Sequence, residues 1–157
     1  MTATFFGYGS LVNQKSHREP YENFRKAETT GWVRTWRQDT HWPAAILTAV
    51  PAPGETLLGI TADVPNGDWA ELDKRERGYD RIMLQNTETA IYTIPEGRHA
   101  ELATPHRIWL SYLDIVVQGY LALYGPSGVQ HFFDTTTRWD TPIADDRHDP
   151  LYARADR

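Results

Sequence analysis

The chain has 157 residues, a mild net charge of −5 and no cysteine, so we expect one domain over residues 1–157 that buries a core without disulfides. The charged side chains are dispersed, which argues against a nucleic-acid-binding surface. No apolar run reaches the ~20 residues needed to span a bilayer, and the N-terminus lacks a secretory signal pattern. We therefore expect a soluble, cytoplasmic protein without nucleic-acid or membrane partners.

The first half of the chain is predicted to consist mainly of strands. Thr2 to Phe6 forms a short apolar strand, and a polar, irregular stretch follows from Val12 to Arg25. Three further strands are predicted, at 27–38, 44–50 and 57–64. Because proline and glycine favour chain reversal, Pro51 to Gly54 is predicted to form a turn between the last two.

Helices are predicted mainly in the second half. A short helix through Leu72 ends at Gly78, and residues 82–94 alternate as one or two strands do. A long helix is predicted from Thr104-Pro105, a capping hydroxyl followed by proline at the first helical position, to Gly125. Ser127 caps a second, short helix, and the tail at 135–157 is predicted to be irregular.

The succession of strands and then helices indicates the fold class. It predicts an α+β domain in which a mostly antiparallel sheet or small β-barrel is covered by helices.

The segment FGYGSL, which ends the first strand, is the first candidate for chemistry. Gly7 and Gly9 permit a tight turn, and such a turn can also direct several N–H groups at a carboxylate or a developing oxyanion. A turn with no further role is the alternative. The segment lacks the third glycine of a dinucleotide-binding motif.

The segment LDKRERGY contains the second candidate, Glu76. Leu72 and Glu76 are four residues apart and share a helix face, so a core-facing Leu72 would draw Glu76 inward. A carboxylate at the edge of an aromatic-lined cavity has a raised pKa and can act as a general base. The alternative is an ordinary solvated helix end, because Lys74, Arg75 and Arg77 surround the glutamate.

The remaining titratable residues do not form a metal-binding pattern. The six histidines show no i, i+4 pair, so we assign no metal site. Asp145, Asp146 and Asp149 are compatible with a cation site but are more typical of a solvated tail whose carboxylates pair with nearby arginines.

Four segments, in their order and spacing, resemble the gamma-glutamylcyclotransferase family: FGYGSL at 6–11, GWVRTW at 31–36, PAPGETLLGI at 51–60 and LDKRERGY at 72–79. The resemblance continues through SYLDIVVQGYLALYG and WDTPIADDR, which look like bacterial members, and so covers nearly the whole chain. It implies a gamma-glutamylcyclotransferase-like fold and a small γ-glutamyl molecule as substrate. In the implied reaction, the substrate's α-amine attacks its own γ-carbonyl, forming 5-oxoproline and releasing the attached amine, amino acid or peptide. No cofactor is implied.

The resemblance also implies roles for particular residues. The substrate-binding turn is matched by Tyr8, Gly9, Ser10 and Leu11, the catalytic glutamate by Glu76, and two pocket tyrosines by Tyr79 and Tyr112. This chain departs from the family pattern at Arg77, which separates Glu76 from Gly78 where members often have glycine directly after the glutamate.

Two other functions are compatible with these residues. The first is a non-catalytic binding module for a carboxylated metabolite, because a salt bridge from Arg77 would hold Glu76 ionised and weaken it as a base. The second is a domain that serves a partner enzyme within a larger assembly.

Overall fold

The computed structural model describes residues 3–17 and 21–149, which form eight strands and two helices. The strands are β1 (Thr4–Gly7), β2 (Glu22–Arg37), β3 (Ile46–Asp63), β4 (Asp80–Met83), β5 (Thr89–Thr93), β6 (Ile108–Trp109), β7 (Thr136–Thr137) and β8 (Ile143–Ala144). The helices are α1 (Ala70–Arg75) and α2 (Leu110–Thr135).

Six strands form the main sheet, in the order β4-β5-β1-β3-β2-β7. Strand β1 is parallel to β5 and β2 is parallel to β7, whereas the other neighbours are antiparallel. Over the described residues this sheet is open rather than closed into a barrel. The predicted α+β class with a mostly antiparallel sheet is therefore confirmed, in its open-sheet form.

Strand β1 occupies the middle of the sheet because it is apolar on both faces. Phe5 and Phe6 are buried on opposite sides, as in strands that are covered on two faces. Helix α2 covers one side with Leu113, Val116 and Tyr120, which are spaced three and four residues apart and are all buried. The predicted apolar strand before Gly7 is thus buried on both faces.

The segment that follows β1 packs directly against α2. A Cβ on Gly119 would lie 2.7 Å from the backbone nitrogen of Asn13, so only glycine permits this approach. The side-chain amide of Asn13 donates to the Ile115 carbonyl at 2.9 Å. These contacts fix the chain after β1 between the sheet and the helix.

The two longest strands differ from the prediction. Strand β2 begins at Glu22, inside the stretch predicted to be irregular, of which residues 18–20 lie outside the described residues. Strand β3 continues through Pro51 to Gly54, so the predicted turn is wrong. The two strands form one long hairpin with two register irregularities. Positive φ values at Gly31 (98°) and Gly54 (85°) accommodate the one between Thr30 and Trp32.

Helix α2 begins at Leu110, so the predicted start at Thr104 is wrong. The preceding backbone instead pairs with distant segments: Arg107 accepts from Ala45 at 3.0 Å, and Ile108 donates to Pro142 at 2.8 Å. These tertiary hydrogen bonds outweigh the local capping signal. The predicted break at Gly125 is confirmed, although Ser127 lies inside the second helical segment rather than ahead of it.

The other predicted elements agree with the structure within a few residues. Helix α1 and the β4–β5 hairpin occur where they were expected, and β1 begins at Thr4, with Thr2 outside the described residues. The tail contains two strands of two residues each, β7 and β8, where an irregular chain was predicted. Neither described helix combines the length and apolar character required to cross a bilayer.

Candidate functional site

The chain leaves β1 through a tight turn at Tyr8 to Val12. A 3-10 turn spans Ser10–Val12, and its first hydrogen bond runs from the Val12 N–H to the Gly9 carbonyl at 3.1 Å. The N–H groups of Gly9, Ser10 and Leu11 precede that bond and so have no acceptor within the turn. The described part of the chain supplies no other acceptor for them.

The carbonyl groups of Tyr8 to Leu11, in contrast, all have partners in the protein. The Tyr8 carbonyl accepts from Arg34 at 3.0 Å, and the Ser10 carbonyl accepts from the Ser16 hydroxyl at 2.6 Å. The Leu11 carbonyl lies 2.8 Å from Nε2 of His17. The turn therefore directs its carbonyl acceptors into the protein, and its N–H donors at Gly9, Ser10 and Leu11 remain available to a ligand. This is the arrangement of an anion-binding nest.

Glu76 follows α1 directly and faces inward. Its N–H donates to the Leu72 carbonyl at 2.9 Å, so the helical geometry continues to this residue, and Leu72 is fully buried. As expected from their spacing, the Glu76 side chain is only 15% exposed. The chain then reverses through Gly78, at φ 92°, and brings Tyr79 to the same side.

A second side chain, Arg75, connects this helix end to the turn after β1. Its guanidinium donates to the Ser16 carbonyl at 2.7 Å and contacts the Ser16 hydroxyl, which in turn donates to Ser10. Its Nε lies 3.5 Å from Oε1 of Glu76. In the alternative interpretation of this segment, a solvated helix end, Arg75 would lie in water. The residue is instead buried, whereas Arg77 is exposed.

Glu76 and the turn line one open cavity. Its volume is about 330 Å³, which includes the solvent-open space at its mouth. Aromatic rings and aliphatic side chains form most of the remaining wall, as is usual for small-molecule sites. The full lining is Phe6, Gly7, Tyr8, Gly9, Ser10, Leu11, Leu47, Glu76, Tyr79, Tyr92 and Tyr112.

Tyrosine hydroxyls are held in place around this cavity. Tyr8 donates to the Tyr92 carbonyl, and Tyr79 donates to the Leu47 carbonyl at 2.8 Å. Burial, reinforced by the negative charge of Glu76, raises the pKa of Tyr8 well above its usual range. The Tyr8 phenol is therefore a protonated hydrogen-bond donor at physiological pH.

The structure brings together all seven residues singled out in the sequence, because each lines this cavity: Tyr8, Gly9, Ser10, Leu11, Glu76, Tyr79 and Tyr112. Sequence analysis does not identify Leu47 or Tyr92, which reach the cavity from β3 and β5. Both are ordinary strand residues by pattern, and only the pairing of their strands reveals their position.

The aspartates predicted to lie in a solvated tail occupy two different environments. Asp145 is exposed and pairs with Arg147, with Nε 2.9 Å from Oδ1, as expected for a solvated tail. Asp146 is buried and accepts from the N–H and hydroxyl of Ser111. Within residues 3–17 and 21–149, no group of three or more histidine, aspartate or glutamate side chains has an arrangement suited to a metal ion.

Comparison of the sequence with protein-family models and with curated proteins gives no match. Solved structures, however, share the fold. One described as gamma-glutamyl cyclotransferase is 12% identical over 98% of this chain and 99% of its own, with a TM-score of 0.62. An uncharacterized protein of Homo sapiens is 13% identical over 94% of this chain and 96% of its own, again with a TM-score of 0.62.

A third structure, YkqA from Bacillus subtilis, is 16% identical over 91% of this chain with a TM-score of 0.62, and the match spans 56% of YkqA. At these identities the comparison concerns the fold alone. The chain therefore has the fold of gamma-glutamyl cyclotransferases, as the sequence resemblance implies.

Proposed function

We propose that this protein is a gamma-glutamylcyclotransferase-type enzyme, which converts a γ-glutamyl amine, amino acid or peptide into 5-oxoproline and releases the attached amine. One observation carries the proposal. Glu76 and the turn from Tyr8 to Leu11 line the same small, largely aromatic cavity. The shared fold with a protein described as gamma-glutamyl cyclotransferase supports it.

The reaction needs little beyond orientation and proton transfer. The α-amine nitrogen attacks the γ-carbonyl carbon, a five-membered ring closes, and the bond from that carbon to the departing nitrogen breaks. Because nucleophile and electrophile belong to one molecule, holding the chain in a folded shape lowers the barrier by as much as about 7–11 kcal/mol in ideal cases. The cavity walls, including Tyr79 and Tyr112, serve this purpose.

Glu76 moves the proton in this proposal. Its carboxylate takes one proton from the α-ammonium, which frees the nitrogen lone pair for attack, and delivers that proton to the departing nitrogen. The ring nitrogen then loses its remaining extra proton to the same carboxylate, which releases it to water at the end of the cycle. The side chain is only 15% exposed, so water competes weakly for this exchange. Arg75, at 3.5 Å, stabilises the ionised form that starts the cycle.

The turn binds the substrate's negative charge. Its free N–H groups suit either the α-carboxylate or the oxyanion that develops on the γ-carbonyl oxygen. Both oxygens belong to the same glutamyl unit, so the turn selects the γ-glutamyl portion of the substrate. The departing amine then extends toward the mouth of the cavity.

The test is a screen of γ-glutamyl amines, γ-glutamyl dipeptides and glutathione for 5-oxoproline release, with Glu76→Gln beside the wild-type protein. We expect Glu76→Gln to lower kcat about 100-fold or more, because the amide cannot exchange the proton. Glu71→Gln is the matched control, since Glu71 is an exposed carboxylate on the same helix and should leave the rate unchanged. Full activity in Glu76→Gln would exclude Glu76 as the base.

The contact between Arg75 and Glu76 favours one alternative, a non-catalytic module that binds a carboxylated metabolite. A carboxylate held ionised by a neighbouring guanidinium is a weaker base. Calorimetry decides between the two functions. Binding of a γ-glutamyl compound without 5-oxoproline after long incubation would identify a binding module.

A further inference from the structure

Two side chains from distant elements hold the carbonyl group of Tyr8. Nε of Arg34, on β2, lies 3.0 Å from the Tyr8 carbonyl oxygen. The hydroxyl of Tyr120, on α2, lies 2.7 Å from the same oxygen and 2.7 Å from the Leu58 carbonyl oxygen. Arg34 also donates to the Tyr120 hydroxyl at 2.6 Å, so the two groups form one network behind the turn.

Arg34 is fully buried, yet no carboxylate among the described residues lies within 4.0 Å of it. Its donors are instead taken up by two carbonyls and two hydroxyls, and the rings of Tyr120 and Phe132 lie 4.8 and 4.9 Å from its guanidinium carbon. A buried charge is costly, and its field is weakly screened. The positive charge therefore acts strongly on the groups it contacts.

The Tyr8–Gly9 peptide does not continue the hydrogen-bond pattern of β1. Ala3 bonds to Val64 on the β3 side, and Thr4 bonds to Glu88 on the β5 side, so even-numbered residues of a regular strand would face β5. The Tyr8 carbonyl instead turns toward Arg34 and the β3 side. Since the peptide is trans, the Gly9 N–H points away from this oxygen and its two partners, and Gly9 itself lines the cavity.

We infer that Arg34 and Tyr120 are positioning residues, which aim the Gly9 N–H into the cavity and strengthen it as a donor to an anionic oxygen of the substrate. The inference rests on the proposed function for the nature of that substrate. A cation at the carbonyl end of a peptide polarises the whole group, because hydrogen bonds in a chain reinforce one another. The same contacts prevent the peptide from returning to the regular strand orientation.

The inference is tested with Tyr120→Phe and its matched control, Tyr124→Phe. Tyr124 lies one helical turn later and stacks on Tyr120, but its hydroxyl donates to the carbonyls of Ala27 and Gly59 rather than to Tyr8. Both variants lose one hydroxyl that bonds to two backbone carbonyls, and a thermal melt of each shows that it remains folded at the assay temperature. We expect kcat/KM for 5-oxoproline formation to fall about 10-fold in Tyr120→Phe and less than 2-fold in Tyr124→Phe. The loss is moderate because the Tyr120 hydroxyl positions the Gly9 N–H donor and does not itself contact the substrate.

A second measurement does not depend on turnover. In ¹H–¹⁵N spectra without substrate, the Gly9 amide should shift in Tyr120→Phe and stay in place in Tyr124→Phe. An unchanged Gly9 amide in Tyr120→Phe, or equal kcat/KM values in the two variants, would overturn the inference. If the proposed function is wrong, the wild-type protein forms no 5-oxoproline from any γ-glutamyl compound. In that case the shift of the Gly9 amide by itself tests whether Tyr120 positions this peptide.

Discussion

Gly9 packs closely against two residues that line the cavity. A Cβ at this position would lie 2.9 Å from the Tyr112 hydroxyl and 3.4 Å from Leu47. The missing side chain therefore admits a tyrosine hydroxyl directly beside the turn. The glycine two residues after the end of β1 is thus explained by the close approach of a cavity residue.

We expect Gly9→Ala to lower kcat/KM about 10-fold or more, because the new methyl group displaces the Tyr112 hydroxyl and narrows the cavity. In a Tyr112→Phe background, the atom that is contacted at 2.9 Å is absent, so the same substitution should have a smaller effect. The measurement is a double-mutant cycle on kcat/KM. Equal effects of Gly9→Ala in the two backgrounds would show that the contact with Tyr112 does not limit the site.

Helix α2 consists of two segments joined at Gly125. This residue has φ 73° and ψ −171°, a combination that is essentially restricted to glycine. Pro126 follows and suits the first turn of the second segment, because it lacks the N–H that would be unpaired there. The break redirects the chain, so that Phe132 reaches the core beside Tyr120.

Gly125→Ala should lower the free energy of unfolding by about 1–3 kcal/mol, the range for a side chain in such a backbone conformation. Nothing lies within 4 Å of the added Cβ, so the effect is conformational rather than steric. Chemical denaturation provides the measurement. Gly97→Ala is the control, since it is equally unobstructed but lacks a positive φ, and a loss as large there would contradict this explanation.

At the scale of the whole fold, the segment at 136–146 returns to both the main sheet and the region of α2. Strand β7 extends the main sheet beside β2, and β8 pairs with β6 just ahead of α2. Asp146 then accepts from the backbone and hydroxyl of Ser111 in the first turn of α2, at 2.8 and 2.7 Å. The segment after α2 is therefore part of the packed structure as far as Asp146.

Asp146→Ala should lower the free energy of unfolding by about 1–3 kcal/mol, because it leaves two buried donors of Ser111 without this acceptor. Asp145→Ala is the matched control, since its exposed pair with Arg147 is surrounded by solvent and should leave stability nearly unchanged. Equal denaturation midpoints for the two variants would contradict the role given to Asp146.

Local patterns were sufficient to predict much of this fold. The apolar strand before Gly7, the helix around Leu72 and the break at Gly125 follow from side-chain size and backbone freedom within a few residues. The inward direction of Glu76 follows from its four-residue spacing to Leu72. Each of these features depends on interactions between residues close together in the chain, which the sequence displays directly.

Only the tertiary structure decided the start of α2, the continuity of β3 and the surroundings of the turn at Tyr8. Thr104-Pro105 has a good capping sequence, but hydrogen bonds to Ala45 and Pro142 are available only after folding, and they keep this segment out of the helix. Likewise, Arg34 and Tyr120 meet at the Tyr8 carbonyl from positions 26 and 112 residues away in the chain. Contacts of that kind depend on how strands and helices pack together, and no local pattern contains that information.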